Sequence, residues 1–209
     1  MSATQTPSNF KVKLLPVTAQ PYGIQGDTKT GMSDASSICA RCAVVYSTCC
    51  RTDPTGCDNC FPLSEAEKQR LLPYAERMGI HAAEEEENTE RFHDLLRLLF
   101  PDRPGILANA YPLGGVHYRL PLSEDGSCLF LGEVGCILPR SARPWYCQLF
   151  PIWIREGYFV SLKMETCLIT HEIRKINDVF AAIGLSKETA KEYYRALCRD
   201  WGMETDDHA

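Results

Sequence analysis

Cysteine is the residue that most limits what this chain can fold into. Eleven of its 209 residues are cysteine, and six of these fall between Cys39 and Cys60. An odd number of thiols cannot all pair internally, and the first ten residues lack the basic and apolar regions of a secretory signal. We therefore expect a cytoplasmic, reducing compartment, where clustered cysteines usually bind metal or carry out redox chemistry instead of forming disulfides.

Length and composition predict one globular unit with an arm. At about 150 residues per domain, 209 residues make one to two domains, and 44% of them are hydrophobic. We predict a flexible N-terminal arm over 1–37, a cysteine-cluster metal-binding domain over 38–170, and a C-terminal helical pair over 171–209 packed on that domain. No membrane span is expected because no run approaches 18 apolar residues. The net charge of −5 argues against nucleic acid or an anionic membrane as a partner.

Two helices are predicted in the middle of the chain. Ser64 and Glu67 form a capping-box pattern, so a helix should begin after Ser64, and Pro73 should kink or divide it. The stretch 83–100 carries the apolar stripe of an amphipathic helix that ends before Pro101, with the acidic run 84–87 as its solvated start. The stripe consists of Phe92, Leu95, Leu96 and Leu99.

Alternation predicts strands, and two further helices close the chain. Residues 116–122 alternate with period 2, with Val116 on the apolar face and His117 on the polar face, and 152–162 should form a hairpin that turns at Glu156 and Gly157. Helices are expected over about 172–183, with Gly184 as the stop, and over 186–198, with Cys198 in the core. The predicted fold class is α+β: a small antiparallel sheet and cysteine-rich metal-binding loops surrounded by helices.

Spacing divides the cysteines into two groups. A C-x2-C unit lets two sulfurs turn toward one ion, as in zinc and iron–sulfur sites. Adjacent side chains in an extended chain point to opposite faces, so Cys49 and Cys50 cannot easily bind one tetrahedral ion together. Either they serve two metals, or one binds while the other packs. The first group is Cys39-x2-Cys42-x6-Cys49-Cys50 followed by Cys57-x2-Cys60, and the second is Cys128-x7-Cys136-x10-Cys147 followed by Cys167.

Arginines and histidines near the cysteines are further candidates. Arg41, Arg51, Arg140 and Arg143 each lie within four residues of a cysteine and can compensate thiolate charge. Because Arg143 precedes Pro144, its backbone should be extended, and we assign Arg143 and Arg140 to cofactor binding. His171, four residues after Cys167, is a weaker ligand candidate, and weaker still are His81, His93, His117 and His208.

The order of these elements resembles a known family. The cysteine-rich first group, then Cys128-Leu-Phe-Leu, Cys136, Arg143-Pro144, Cys147, Phe150-Pro151 and Cys167 resemble the zinc- or iron-chelating CxxCxxCC family of YkgJ-type cysteine-cluster proteins. Six residues instead of two separate Cys42 from Cys49, and Cys57 and Cys60 are additional. The resemblance implies a bound zinc, iron or iron–sulfur centre. It implies that the metal ligands are Cys39, Cys42, Cys49, Cys50, Cys128, Cys136, Cys147 and Cys167.

Three functions follow from these residues. The first is a metal-binding protein that holds a [4Fe–4S] cluster, which we prefer slightly, or Zn²⁺, with an electron-transfer or redox role and an unidentified protein or redox partner. The second is a zinc-ribbon-like interaction module built on Cys39, Cys42, Cys57 and Cys60. The third is an enzyme with Cys147 as nucleophile beside Arg143. No complete catalytic constellation is visible, so whether the chain is an iron–sulfur oxidoreductase stays open.

Overall fold

A computed structural model describes residues 13–14, 38–45, 48–52, 61–133, 135–164 and 167–204. Over these residues the chain forms eight α-helices and seven short strands, all paired antiparallel, and the predicted α+β class is confirmed. Most of the predicted arm, together with Cys57, Cys60 and His208, lies outside the described residues. The three-part division of the chain stays a prediction. None of the helices in the described ranges has the length and apolar character that a bilayer span needs.

The helices and strands are short and alternate along the chain. The helices are α1 (Ile38–Val45), α2 (Glu65–Met78), α3 (Glu90–Leu99), α4 (Pro104–Ala110), α5 (Trp145–Leu149), α6 (Leu168–Glu172), α7 (Ile176–Ile183) and α8 (Lys187–Asp200). The strands are β1 (Lys13–Leu14), β2 (Glu84–Glu87), β3 (Val116–Arg119), β4 (Leu131–Gly132), β5 (Gly135–Cys136), β6 (Ile152–Arg155) and β7 (Tyr158–Lys163). They form one three-stranded sheet in the order β1-β7-β6 and two pairs, β2 with β3 and β4 with β5.

The hairpin and the cap of α2 follow the prediction. Strands β6 and β7 turn at Glu156 and Gly157, whose positive φ angles of 50° and 79° suit a two-residue hairpin turn. The Ser64 hydroxyl accepts from the Glu67 N–H at 3.1 Å, and the Glu67 carboxylate accepts from the Ser64 N–H at 2.9 Å. Pro73, however, does not divide α2. It lies on the exposed face, where water can reach the carbonyl oxygen that the missing N–H leaves free.

The acidic run is a strand, so its predicted place at a helix start is wrong. Residues 84–87 pair antiparallel with β3, and Arg119 lies 2.9 Å from the Glu84 carboxylate and 3.3 Å from that of Glu86. Cross-strand ion pairs thus replace the helix-dipole interaction expected there. Helix α3 begins at Glu90, six residues after the first residue of the acidic run, and Thr89 caps it. The apolar residues of its predicted stripe are buried.

Strand β3 forms, but at its first two residues the buried and exposed sides are exchanged relative to the prediction. His117 is buried and Val116 is 61% exposed. The imidazole stacks on Phe92 with ring centroids 3.9 Å apart, and its Nδ1 lies 2.8 Å from the Asn88 side-chain oxygen. A specific aromatic and hydrogen-bonded environment therefore decides which face is buried, and hydrophobicity alone does not.

The C-terminal helices are partly as predicted. The predicted start of a helix near 172 is wrong, because Ile173 and Lys175 have extended backbones that separate α6 from α7. The extended segment lets Ile173 pack against the main apolar cluster. Gly184 ends α7 in the left-handed conformation, and Ser186 caps α8, as expected. Cys198 is buried in the core, which confirms its packing role.

Two apolar clusters form the interior. The main cluster joins α3, α7, α8 and the β6–β7 hairpin around Trp153, which is 1% exposed. The small cluster lies beneath α2 and the β4–β5 pair. Its buried members are Leu63, Leu71, Ala75, Ala82, Cys128, Phe130 and Leu138.

Candidate metal centre

A cavity of about 160 Å³ is lined by side chains from both clusters, including Ile38 and Leu168 of the main cluster and Phe130 and Leu138 of the small one. Seven thiols line this cavity among mostly apolar neighbours. They are Cys42, Cys49, Cys50, Cys128, Cys136, Cys147 and Cys167, seven of the eight predicted ligands. The eighth, Cys39, lies in α1, and its side chain is outside the described part of the chain.

Helix α1 and the start of α6 bring two thiols to one wall. Cys42 and Cys167 are both buried, and Cys167 immediately precedes α6. Arg41 on the exposed face of α1 binds the Glu172 carboxylate at 3.0 Å, which ties the two helices together. Burial raises the pKa of Cys167, and the neighbouring Cys42 raises it further. This wall therefore holds two thiols close enough to interact electrostatically.

The adjacent pair Cys49 and Cys50 divides between the two clusters. The Cys49 side chain packs against the main cluster and that of Cys50 against the small cluster. Thr48 organises the turn: its hydroxyl accepts from the Cys50 N–H at 3.4 Å and lies 4.0 Å from the Cys49 sulfur. The pair thus connects the two walls of the cavity.

Short backbone pairings hold the second cysteine group against the first. The Cys128 N–H donates to the Cys50 carbonyl oxygen at 2.7 Å, and Cys136 pairs with Leu131 across β4 and β5. Gly126 and Gly135 have φ angles of 78° and 109°, which side-chain-bearing residues rarely adopt, so these turns require glycine.

Cys147 projects into the cavity from α5. Its side chain is exposed at the cavity, and protein atoms lie around the thiol closely enough to desolvate it. Burial raises its pKa well above the usual value, and Cys50, Cys136 and Cys128 raise it further. These four thiols therefore form one electrostatically coupled group, in which each negative charge opposes the next.

Cys50 differs from the other thiols in this group. Its pKa is lowered to about 7, chiefly by a hydrogen bond from Cys49 and also by Thr48, Arg143 and Arg51, against the opposing effect of burial. The pKa of Cys136, in contrast, is raised by burial. A bound cation would favour every thiolate in the cavity, because metal ligation deprotonates thiols.

The arginines predicted near the centre have different positions. Arg143 lines the cavity and donates through Nε to the Leu138 carbonyl oxygen at 2.9 Å and through Nη2 to that of Cys136 at 3.5 Å. Arg140 donates to the carbonyl oxygens of Ile183 at 2.9 Å and Gln148 at 3.2 Å. Arg143 is therefore placed to act on bound charge, whereas Arg140 joins α5 to α7.

The histidines lie elsewhere. His81 and His171 are exposed, and the buried His93 lies with Nε2 2.7 Å from the Tyr111 carbonyl oxygen. None of the described histidines lines the cavity. Across the described side chains, no group of three or more His, Cys, Asp or Glu is already arranged to hold a metal ion.

The tertiary contacts of Glu67, near the site, are not evident in the sequence. Glu67 was identified as half of a capping box, but it also accepts from the Trp145 N–H at 2.7 Å and from the Trp201 indole N–H at 3.1 Å. These partners are 78 and 134 residues away, so no local pattern could show them. The only sequence signal for these contacts is the acidic residue at the capping position.

Comparisons with protein-family models, curated proteins and solved structures find no match for this chain.

Proposed function

We propose that this protein binds a metal centre through the thiolates of the cavity, with a [4Fe–4S] cluster as the first candidate and Zn²⁺ as the alternative. The observation that carries the proposal is the convergence of seven thiols, from segments far apart in the chain, on one cavity. Structural cysteines act as small hydrophobic side chains and have no need to face a shared space. Seven thiols supply an all-sulfur donor set that suits either centre.

The size and charge of the cavity favour the cluster. About 160 Å³ is enough for on the order of ten water molecules at about 15 Å³ each, which is more than one ion needs. The Arg143 guanidinium at the wall can balance the negative charge of a thiolate-bound centre. A cluster would provide one-electron transfer, whereas zinc would crosslink the fold.

Binding would draw the thiols together, because the described side chains are not yet in a ligating arrangement. The proposed ligands are the eight cysteines named in the sequence, with Cys39 in the described helix α1. Loading is then coupled to ordering of the segments that carry the ligands. The proposal includes membership of the CxxCxxCC family, a reducing cytoplasmic location and an unidentified redox partner protein.

The test is iron, zinc and acid-labile sulfide analysis with a visible spectrum, on protein purified without oxygen. We expect about four irons and four sulfides per chain and a brown colour. One or two zincs, before and after anaerobic iron–sulfide reconstitution, would establish the structural alternative. Protein that takes up neither metal would contradict the proposal.

The zinc-ribbon alternative is distinguished by Cys57→Ser and Cys60→Ser. Retention of metal by these variants, together with its loss in Cys128→Ser and Cys136→Ser, is the result we expect. The reverse result would support the ribbon.

A further inference from the structure

Glu67 is a fully buried carboxylate whose contacts extend beyond its own helix. Its side chain is 0% exposed. One oxygen accepts from the Ser64 N–H at 2.9 Å and the Trp201 indole N–H at 3.1 Å, and the other accepts from the Trp145 N–H at 2.7 Å. Burying a charge is costly unless hydrogen bonds compensate it, and three donors do so here. The fold therefore maintains a charged side chain at the meeting point of α2, α5 and the end of α8.

Helix α5 depends on this contact at its N-terminus. The residue before it is Pro144, which supplies no side-chain hydrogen bond to the first turn. The first N–H groups of a helix have no partner within the helix. Glu67 satisfies the first of them, that of Trp145, from a distant part of the chain. Cys147 is two residues further along and lies in the same turn.

We propose that Glu67 is a positioning residue for the metal centre: its carboxylate holds the first turn of α5 and thereby sets how Cys147 enters the cavity. This inference rests on the proposed function. The carboxylate does not line the cavity. It contacts the first turn of α5 through the Trp145 N–H, and its negative charge also contributes to the raised pKa of Cys147.

A carboxylate suits this position better than an amide. All three partners are donors, and they contact both oxygens of Glu67. In a Glu67→Gln variant the amide NH₂ would face an N–H whichever way it is turned. The substitution keeps the side-chain size and loses at least one of the three contacts.

The experiment compares Glu67→Gln with Glu65→Gln, a matched change at an exposed position of the same helix. Zinc and iron affinities are measured by competition with a chelator, and thiol alkylation of the metal-free protein is followed by mass spectrometry. We expect Glu67→Gln to weaken metal binding about 10- to 100-fold. We also expect Cys147 alkylation, compared at equal thiolate fraction so that loss of the Glu67 charge does not contribute, to accelerate relative to Cys198. Glu65→Gln should leave both measurements unchanged.

The Trp201→Phe variant distinguishes a positioning role of Glu67 from a general loss of protein stability. It removes the Trp201 donor to Glu67 and leaves the Trp145 contact in place. We expect it to lower the melting temperature without changing the ratio of Cys147 to Cys198 alkylation. An unchanged ratio in folded Glu67→Gln would overturn the proposal, as would metal affinity within about twofold of wild type.

Amide hydrogen exchange of the wild-type protein tests the same contact if Glu67→Gln does not fold. We expect slow exchange at the Trp145 amide, and rapid exchange would overturn the proposal. Wild-type protein that binds no metal contradicts the proposed function, whereas the alkylation ratio still reports on Glu67. The two failures are therefore distinguishable.

Discussion

The two apolar clusters on either side of the cavity are built in different ways. In the main cluster Trp153 lies against Phe100, Tyr194 and Trp201, with ring centroids 5.3 to 6.5 Å apart, inside a frame of helices and the β6–β7 hairpin. Among the described residues the small cluster has one buried aromatic ring, that of Phe130, and the strands β4 and β5 beside it have two residues each.

Because the two clusters are built differently, we infer that the regions around them are stabilised in different ways. Burial of aromatic side chains supplies most of the stabilisation of the main cluster. The loops of the small cluster have little regular structure, and they carry Cys128 and Cys136. We infer that the main cluster folds without metal and that the region around the small cluster needs metal for its final order.

The largest expected effect is a difference in metal content between a variant that lacks a cavity thiol and a variant that lacks a core thiol. Cys128→Ser should abolish metal binding or reduce it to a small fraction, because it removes a proposed ligand. Cys198→Ser should keep the full metal content and lose only stability, since Cys198 is buried in the main cluster. Metal analysis of both purified variants checks this, and equal metal loss in the two would remove the distinction between cavity thiols and core thiols.

The next effect concerns the main cluster. Trp153→Ala should lower the free energy of unfolding by about 3 to 5 kcal/mol, because the indole is 1% exposed and its loss leaves a cavity. The loss should be similar in metal-free and metal-loaded protein. Denaturant titrations of both forms measure it, and a cost that appears only in the loaded form would contradict an independent main cluster.

A pH effect comes from the buried His117. Burial, with a further contribution from Arg119, lowers its pKa from 6.5 to about 4. The unfolded chain therefore binds more protons between these values, so stability is full above pH 6.5 and falls as the pH decreases toward 4. The shift corresponds to at most about 3.5 kcal/mol, at about 1.4 kcal/mol per pKa unit.

The variant His117→Gln isolates this contribution. The difference between the unfolding curves of the wild-type and variant proteins at pH 7 and pH 4.5 reports the contribution of His117. We expect a smaller acid loss in the variant. Identical pH dependence would show that His117 does not carry the effect.

The smallest effect is expected at the surface. Arg41 and Glu172 form an ion pair at 3.0 Å, but their side chains are 56% and 42% exposed. Arg41→Ala should therefore cost less than about 1 kcal/mol. Thermal unfolding at low and high salt measures it, and a larger loss would mean that this tether between α1 and α6 supports the cavity wall.

Local signals in the sequence predicted local structure well. The capping box at Ser64, the turn at Glu156 and Gly157 and the stop at Gly184 all depend on neighbouring residues, and all three form. The prediction of a helix start at the acidic run was wrong because the partner strand of that run lies about 30 residues away. An argument from the helix dipole does not consider pairing between strands.

The site was predictable in its residue types and not in its arrangement. Cysteine spacing identified two groups of candidate thiols, and the family resemblance implied the set of eight that includes the seven lining the cavity. It could not show that Cys49 and Cys50 pack against different clusters, or that Arg140 binds the end of α7. Those facts depend on tertiary packing.

The most direct test of the account is a thiol footprint of metal-loaded and metal-free protein prepared without oxygen. Each form is alkylated briefly and the label on every cysteine is quantified by mass spectrometry. The account predicts that metal protects the seven cavity cysteines together and leaves the low labelling of Cys198 unchanged. Equal labelling of the cavity cysteines with and without metal would contradict it.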